Sequence, residues 1–227
     1  RSERTLNEGQ IKFVVRRWFV MSVLTGRYTG SFETAFEADI RRINEIGALQ
    51  ALSDIESSQL ADTFWDVGLP MEMESSSVRS PYFLAFLAAQ IQTQARGFLS
   101  KNVTVSSMVE EVGDIHHVIP KNYLVSNGVN DRGDYNQIAN FALTETPINI
   151  SIKDADPADY MARVDQQVAD GVLRLGEIMS EVELDANLRA NAIPASIRTT
   201  TAEAYGAFLK ERRALMAQVI RDYYFSL

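Results

Sequence analysis

The sequence predicts an α+β protein that is mostly α, with a small β-containing centre embedded in a helical domain. Three observations predict it. Apolar residues recur at three-to-four spacing through most of the first hundred residues and again beyond residue 157. Between roughly residues 101 and 160, short β-branched runs alternate with clusters of Asn, Gly and Asp. With 227 residues, 46% of them hydrophobic, the chain can bury a sizeable core. The expected organisation is a helical domain over 1–100, a distinct unit over 101–160, and C-terminal helices over 161–227 that pack on it.

The elements succeed one another along the chain. Ile11, Val14, Val15, Trp18, Phe19 and Met21 to Leu24 mark a first helix, interrupted after Leu24 by Gly26-Arg27-Tyr28-Thr29-Gly30. Ser31 is placed to cap a second helix through Ile40 and Ile43. Asp54 is placed to cap a third that runs past Trp65 until Gly68-Leu69-Pro70 stops it. Met71 to Ser80 reads as a loop and Pro81 to Phe98 as a further helix. Val103-Thr104-Val105 and Ile115 to Ile119 read as strands. Leu124 to Tyr135 is a string of turn signals, Asp134 suits the cap of a short helix through Ala139, and Phe141 to Thr144 returns as a strand. Pro157 suits a first helical turn, with the helix continuing from Met161 to Met179. Beyond Pro194, Thr199 or Thr200 opens a long final helix with Ala204, Phe208, Leu215, Val219 and Ile220 on its apolar side.

Composition narrows the function classes. There is no cysteine, which excludes disulfides and thiolate zinc sites and fits a reducing, cytoplasmic setting. No apolar run approaches the roughly 18–20 residues that span a bilayer; the longest, Ile11 to Leu24, contains Lys12, Arg16 and Arg17. The opening Arg1-Ser2-Glu3-Arg4 reads as the start of a fragment of a longer protein. Net charge is −8, adverse to holding nucleic acid, but it is polarised. Residues 1–30 carry six basic residues against two acids, and residues 154–190 carry nine acids against three arginines. The basic residues of the first helix suit either a solvated face or a DNA-contacting one.

The chemistry concentrates at the two histidines, adjacent in Asp114-Ile115-His116-His117-Val118-Ile119-Pro120. Histidine titrates near neutral pH and is the commonest metal ligand, yet a pair at a strand end is also readily satisfied by hydrogen bonds. Residues further along the chain sharpen the pattern: Asn140 lies 23 residues after His117, Asn149 nine further on, and Lys153 four beyond that.

In this arrangement His116 to Pro120 resembles the opening element of the His-Me finger (HNH) nucleases. Asn140-Phe141-Ala142-Leu143-Thr144 resembles their second element, and Asn149-Ile150-Ser151-Ile152-Lys153 their third. The resemblance implies a β-hairpin packed on a helix, with one divalent metal ion (Mg, Mn, Ni or Zn) held between them. It implies His117 as general base, His116 and Asn149 as metal ligands, and Asn140 as the residue that fixes the loop and orients the base. Lys121, Arg132 and Lys153 then become candidate phosphate contacts. A base histidine acts when neutral, so activity is expected to rise with pH through its pKa. Many members carry aspartate where this chain has His116; an imidazole and an amide oxygen form a neutral set that suits Mn²⁺, Ni²⁺ or Zn²⁺ at least as well as Mg²⁺. Neighbouring strand residues face opposite ways, so both histidines serve one site only where the strand ends or bends. Asp114, on the His116 face, is a further candidate ligand or support for that imidazole.

A wider resemblance is to the GmrSD-like restriction proteins, carried by Arg16-Arg17-Trp18-Phe19, Leu24 to Ser31, Tyr135 to Asn140 and Pro157-Ala158-Asp159-Tyr160. It implies DNA as substrate, phage defence as role, and a ParB-like nucleotide-hydrolysing N-terminal domain as a partner outside this sequence. A homo-oligomer is compatible with it. The competing expectation is a catalytically decayed module that mediates protein–protein contacts, for which an acidic rim around the pocket would speak. Arg132-Gly133-Asp134, the sequons at Asn102 and Asn149, and the Asn127–Asp134 loop are set aside as chance patterns.

Overall fold

The first helix, α1 (Glu8–Leu24), begins where Asn7 closes a capping box with Gln10. The Asn7 Oδ1 accepts the Gln10 N–H at 2.9 Å, and the Gln10 side chain accepts the Asn7 N–H at 3.0 Å. A computed structural model describes residues 6–111 and 114–227, with the Asp114 side chain left out. The expectations resting on Arg1, Arg4 and the Asp114 carboxylate therefore lie outside the described residues.

Helix α2 (Phe32–Ile46) follows Ser31, which holds the cap position without a side-chain hydrogen bond. Helix α3 (Ala48–Gln59) starts after Gly47, whose φ of 86° only glycine adopts freely. Asp54 is not a cap: it lies inside α3 and accepts from Gln50 at 2.7 Å and Arg42 at 3.1 Å. Trp65 sits on a separate π-helical turn, Phe64–Gly68. Gly68-Leu69-Pro70 starts α4 (Leu69–Glu72) rather than stopping a helix, because a proline in the first turn has no needed N–H to lose. Helix α5 (Pro81–Gln92) ends six residues short of Phe98. Gln94 turns to φ 55°, the Ala95 N–H bonds back to the Gln90 carbonyl, and Phe98 falls in a buried loop. The expected strand at Val103–Val105 is instead the start of α6 (Val105–Glu110), capped by Thr104. The Thr104 hydroxyl outcompetes its β propensity, and one bridge to Arg96 is its only strand-like pairing among the described residues.

Strand β1 (Asp114–His117) pairs antiparallel with β2 (Phe141–Thr144), His116 opposite Ala142 and His117 opposite Phe141. The connection, expected as turns over Leu124–Tyr135 and a short helix from Asp134 through Ala139, holds α7 (Lys121–Ser126), α8 (Arg132–Tyr135) and a 3-10 turn at Ile138–Asn140. Asp131, not Asp134, caps α8, accepting the Gly133 N–H at 2.6 Å. Helix α9 (Thr146–Ile152) follows β2, then α10 (Pro157–Asp170), capped by Asp156 and closed by Gly171 at φ 74° instead of running to Met179. After α11 (Glu181–Ala190) and a 3-10 turn at Ala195–Thr199, α12 (Tyr205–Ser226) starts six residues later than Thr199 suggests. Its buried side carries Phe208, Arg212, Met216, Ile220 and Tyr224, whereas Leu215 is exposed.

One apolar core runs from α1 through the β-hairpin to α12, so the three sequence zones share an interior. Helix α12 crosses α4, α5 and the 3-10 turn before β2. Two of the four described basic residues of the α1 region, Arg17 and Arg27, are turned to internal use. Arg17 lies over the Tyr224 ring and pairs with Glu56 at 3.2 Å, Arg27 pairs with Asp39, and Lys12 pairs with Glu8 at 2.6 Å. Lys12 and Arg16 both stay exposed on this helix, Lys12 in a surface pair with Glu8 and Arg16 with no ion pair among the described residues. Among the described residues, no helix is long and apolar enough to cross a membrane.

Candidate functional site

The hairpin and α9 form a ββα unit, and the site lies where β1 stops. Side chains alternate along a strand, so His116 points inward, nearly fully buried, while His117 points to the other face and is half-buried. Because β1 ends at His117 and the chain turns at Val118–Ile119, both imidazoles line one pocket of about 210 Å³. Asn149, Lys121, Lys153 and Asp154 line it too.

The His116 Nδ1–H donates to the Asn149 Oδ1 at 2.7 Å, joining β1 to α9 across 33 residues of sequence. The ring stacks on Phe98, centroids 6.1 Å apart. Phe98 is carried there because its N–H donates to the Leu143 carbonyl at 2.7 Å and its carbonyl accepts the Thr144 hydroxyl at 2.7 Å, sealing the outer edge of β2. Gly97 permits this approach, since a Cβ there would stand 2.9 Å from the Leu143 oxygen. Burial pushes the His116 pKa down to about 4 against the opposing Asn149 bond, so the ring is neutral at pH 7. Its Nε2 is buried with no hydrogen-bond partner among the described residues.

His117 donates its Nε2–H to the Asn136 Oδ1 at 2.8 Å, which leaves the Nδ1 lone pair free as an acceptor. The ring is held edge-on against Phe141 at 5.1 Å. Burial lowers its pKa, partly offset by the Asn136 bond, and the Lys121 charge lowers it further.

Asn140 is fully buried and makes no bond to His117; it acts on the turn that ends β1. Its Oδ1 accepts the Ile119 N–H at 2.8 Å, and its amide N–H donates to the Ile119 carbonyl at 3.0 Å. The Tyr160 hydroxyl holds the preceding carbonyl, Val118, at 2.8 Å. From behind, the buried Arg212 guanidinium of α12 donates to the Ala139 and Phe141 carbonyls at 2.9 and 2.8 Å, gripping the chain on both sides of Asn140.

Of the sequence-predicted residues, His116, His117, Asn149, Lys121 and Lys153 meet at the pocket, Asn140 supports it, and Arg132 does not line it. Lys121 lies over the Tyr135 ring at 5.1 Å. Lys153 closes α9 with φ 52° and ψ −120°, a conformation that favours glycine. Among the described residues the rim holds two lysines against Asp154. Asn136, Arg212, Phe98, Tyr160 and Asp154 contribute without having been predicted as site residues. Asn136 sits four residues before Asn140, close enough to be suspected, but Arg212 carries no local signal.

The His116 and Asn149 donors suit a divalent ion as a two-residue clamp. Two ligands of one ion at bond lengths of about 2.1 Å stand roughly 3 Å apart, close to the 2.7 Å seen here. His116 must surrender its Nδ1 proton to bind there, and its unpartnered Nε2 lacks the acceptor that commonly fixes a ligating imidazole. No group of three or more His, Cys, Asp or Glu gathers among the described residues. No family model matches the chain, nor does any curated protein or solved structure.

Proposed function

We propose that this protein is a metal-dependent endonuclease of the His-Me finger type that hydrolyses phosphodiester bonds in DNA. The observation that carries the reading is the convergence of His116, His117 and Asn149 on one pocket at the mouth of a ββα unit, with Asn140 pinning the turn beneath. His117 accepts a proton from the attacking water at Nδ1, because Nε2 is committed to Asn136. His116 and Asn149 hold the ion, which when bound supplies Lewis-acid stabilisation of the scissile phosphate. Lys121 and Lys153 draw the phosphate backbone to the rim.

By the GmrSD-like resemblance, the chain acts as the effector part of a phage-defence restriction protein, in concert with a ParB-like nucleotide-hydrolysing domain. A plasmid-nicking assay with Mg²⁺, Mn²⁺, Ni²⁺ and Zn²⁺ in turn tests the reading. Cleavage with at least one ion, lost in His117→Ala and in Asn149→Ala, supports it; nicking that persists in both variants refutes it. A second reading, a non-catalytic module that binds protein partners, draws support from the open apolar groove between α1 and α2.

A further inference from the structure

Helices α1 and α2 both pack on α3 and not closely on each other, leaving a groove of about 730 Å³ between them. Trp18, Phe19, Phe36 and Ile40 line it, and the Tyr28–Asp39 pair forms a polar corner. Each helix presents an i, i+4, i+8 stripe to solvent. On α1 these are Ile11 (49% exposed), Val15 (61%) and Phe19 (68%); on α2 they are Phe32 (52%), Phe36 (45%) and Ile40 (45%). Val15 and Phe19 on α1 and Phe36 and Ile40 on α2 line the groove, and Ile11 and Phe32 lie beyond it. With large side chains covering about 150–250 Å² each, the six expose roughly 600 Å². That lies at the upper end of the roughly 300–600 Å² of the largest apolar patch on a typical monomer, a size that is often functional, and approaches the about 800 Å² per partner of a standard interface. Among the described residues nothing covers it.

At two of the three stripe positions the neighbouring charges are opposite in sign and equivalent in position; at the third, Phe19 is followed by Val20 and Ile40 by Arg41. The residue after each of the first two stripe positions is basic on α1, Lys12 and Arg16, and acidic on α2, Glu33 and Glu37. All four are exposed. Turned against itself about a two-fold axis, the face sets α1 of one copy against α2 of the other, apolar stripe on apolar stripe and basic rim on acidic rim. This is the logic by which flanking charges select partners in helical bundles.

We propose that the α1–α2 face is the interface of a symmetric homodimer, with α1 of each copy lying in the groove of its partner. The proposal is independent of the nuclease reading. It is tested by sedimentation velocity and light scattering of the full chain at micromolar concentration. The wild type is expected to be a dimer. Phe19→Glu, which puts a charge on the most exposed stripe residue, is expected to weaken association by at least about 30-fold, the loss carried by a central aromatic contact. Reversing the basic rim with Lys12→Glu and Arg16→Glu is expected to weaken it as well. Adding Glu33→Lys and Glu37→Lys to that pair is expected to restore the dimer, with circular dichroism verifying that each variant is folded. A wild-type monomer throughout, a dimer indifferent to Phe19→Glu, or no recovery in the fourfold charge swap would overturn the proposal.

Discussion

Asn140 holds Ile119 as a neighbouring strand would, taking its N–H at 2.8 Å and giving to its carbonyl at 3.0 Å, both out of contact with water. This one amide holds the turn that follows His117 where β1 ends. Asn140→Ala leaves both Ile119 groups buried and unpaired, at about 1–3 kcal/mol each. We expect a loss of about 2–4 kcal/mol in urea unfolding. Asn140→Asp should be similarly poor, since a carboxylate would face the Ile119 carbonyl.

Arg212 should matter to the same turn from the opposite side. Burial pulls its pKa down to about 9, still well above neutrality, so a charged guanidinium meets the carbonyls of Ala139, Phe141 and Asn191. Arg212→Met should cost about 3 kcal/mol through the carbonyls it strands. Arg212→Lys should recover little, because an ammonium cannot reproduce the planar fork. Thermal denaturation of the two variants checks this.

Much of the site was legible in the sequence because its elements are local strings: a strand ending in two histidines, an asparagine before a second strand, a third element soon after. The helix at Pro157 and both strands arise from the same short-range signals. What escaped is tertiary. Arg212 lies 72 positions beyond Asn140 on a helix whose pattern is that of any amphipathic segment. The break after Gln92 is imposed by the docking of Phe98 on β2, which nothing in the alanine-rich run before it announces. Arg17 reads as a surface base but is absorbed between Glu56 and two aromatic rings.

Lys153 is predicted to trade stability for binding. Its φ of 52° with ψ of −120° carries a strain of about 1–3 kcal/mol that glycine would not bear. After glycine's own entropic cost, Lys153→Gly should stabilise the fold by about 1 kcal/mol. If Lys153 contacts phosphate, the variant should also bind DNA more weakly and show a salt dependence shallower by about one unit of slope. Thermal denaturation and binding isotherms across salt concentrations read the two effects separately.

The Arg27–Asp39 pair should make stability sensitive to acid. Burial raises the Asp39 carboxyl, but bonds from Arg27 and Tyr28 outweigh it and hold the pKa below the ordinary carboxylate value. The contribution is therefore complete above the unfolded pKa of about 3.9 and is lost as pH falls through the lower folded value. Asp39→Asn should cost about 3 kcal/mol near neutrality by stranding the Arg27 charge. The deficit relative to wild type should shrink below about pH 4, as urea titrations at stepped pH would record.

The most direct measurement is the single-turnover cleavage rate of His117→Ala against wild type, each saturated with the best-supporting metal ion. With His117 Nδ1 as the proton acceptor, the rate is expected to fall by about 10²–10⁴-fold in a variant that still binds DNA and remains folded. A rate equal to wild type would contradict that role.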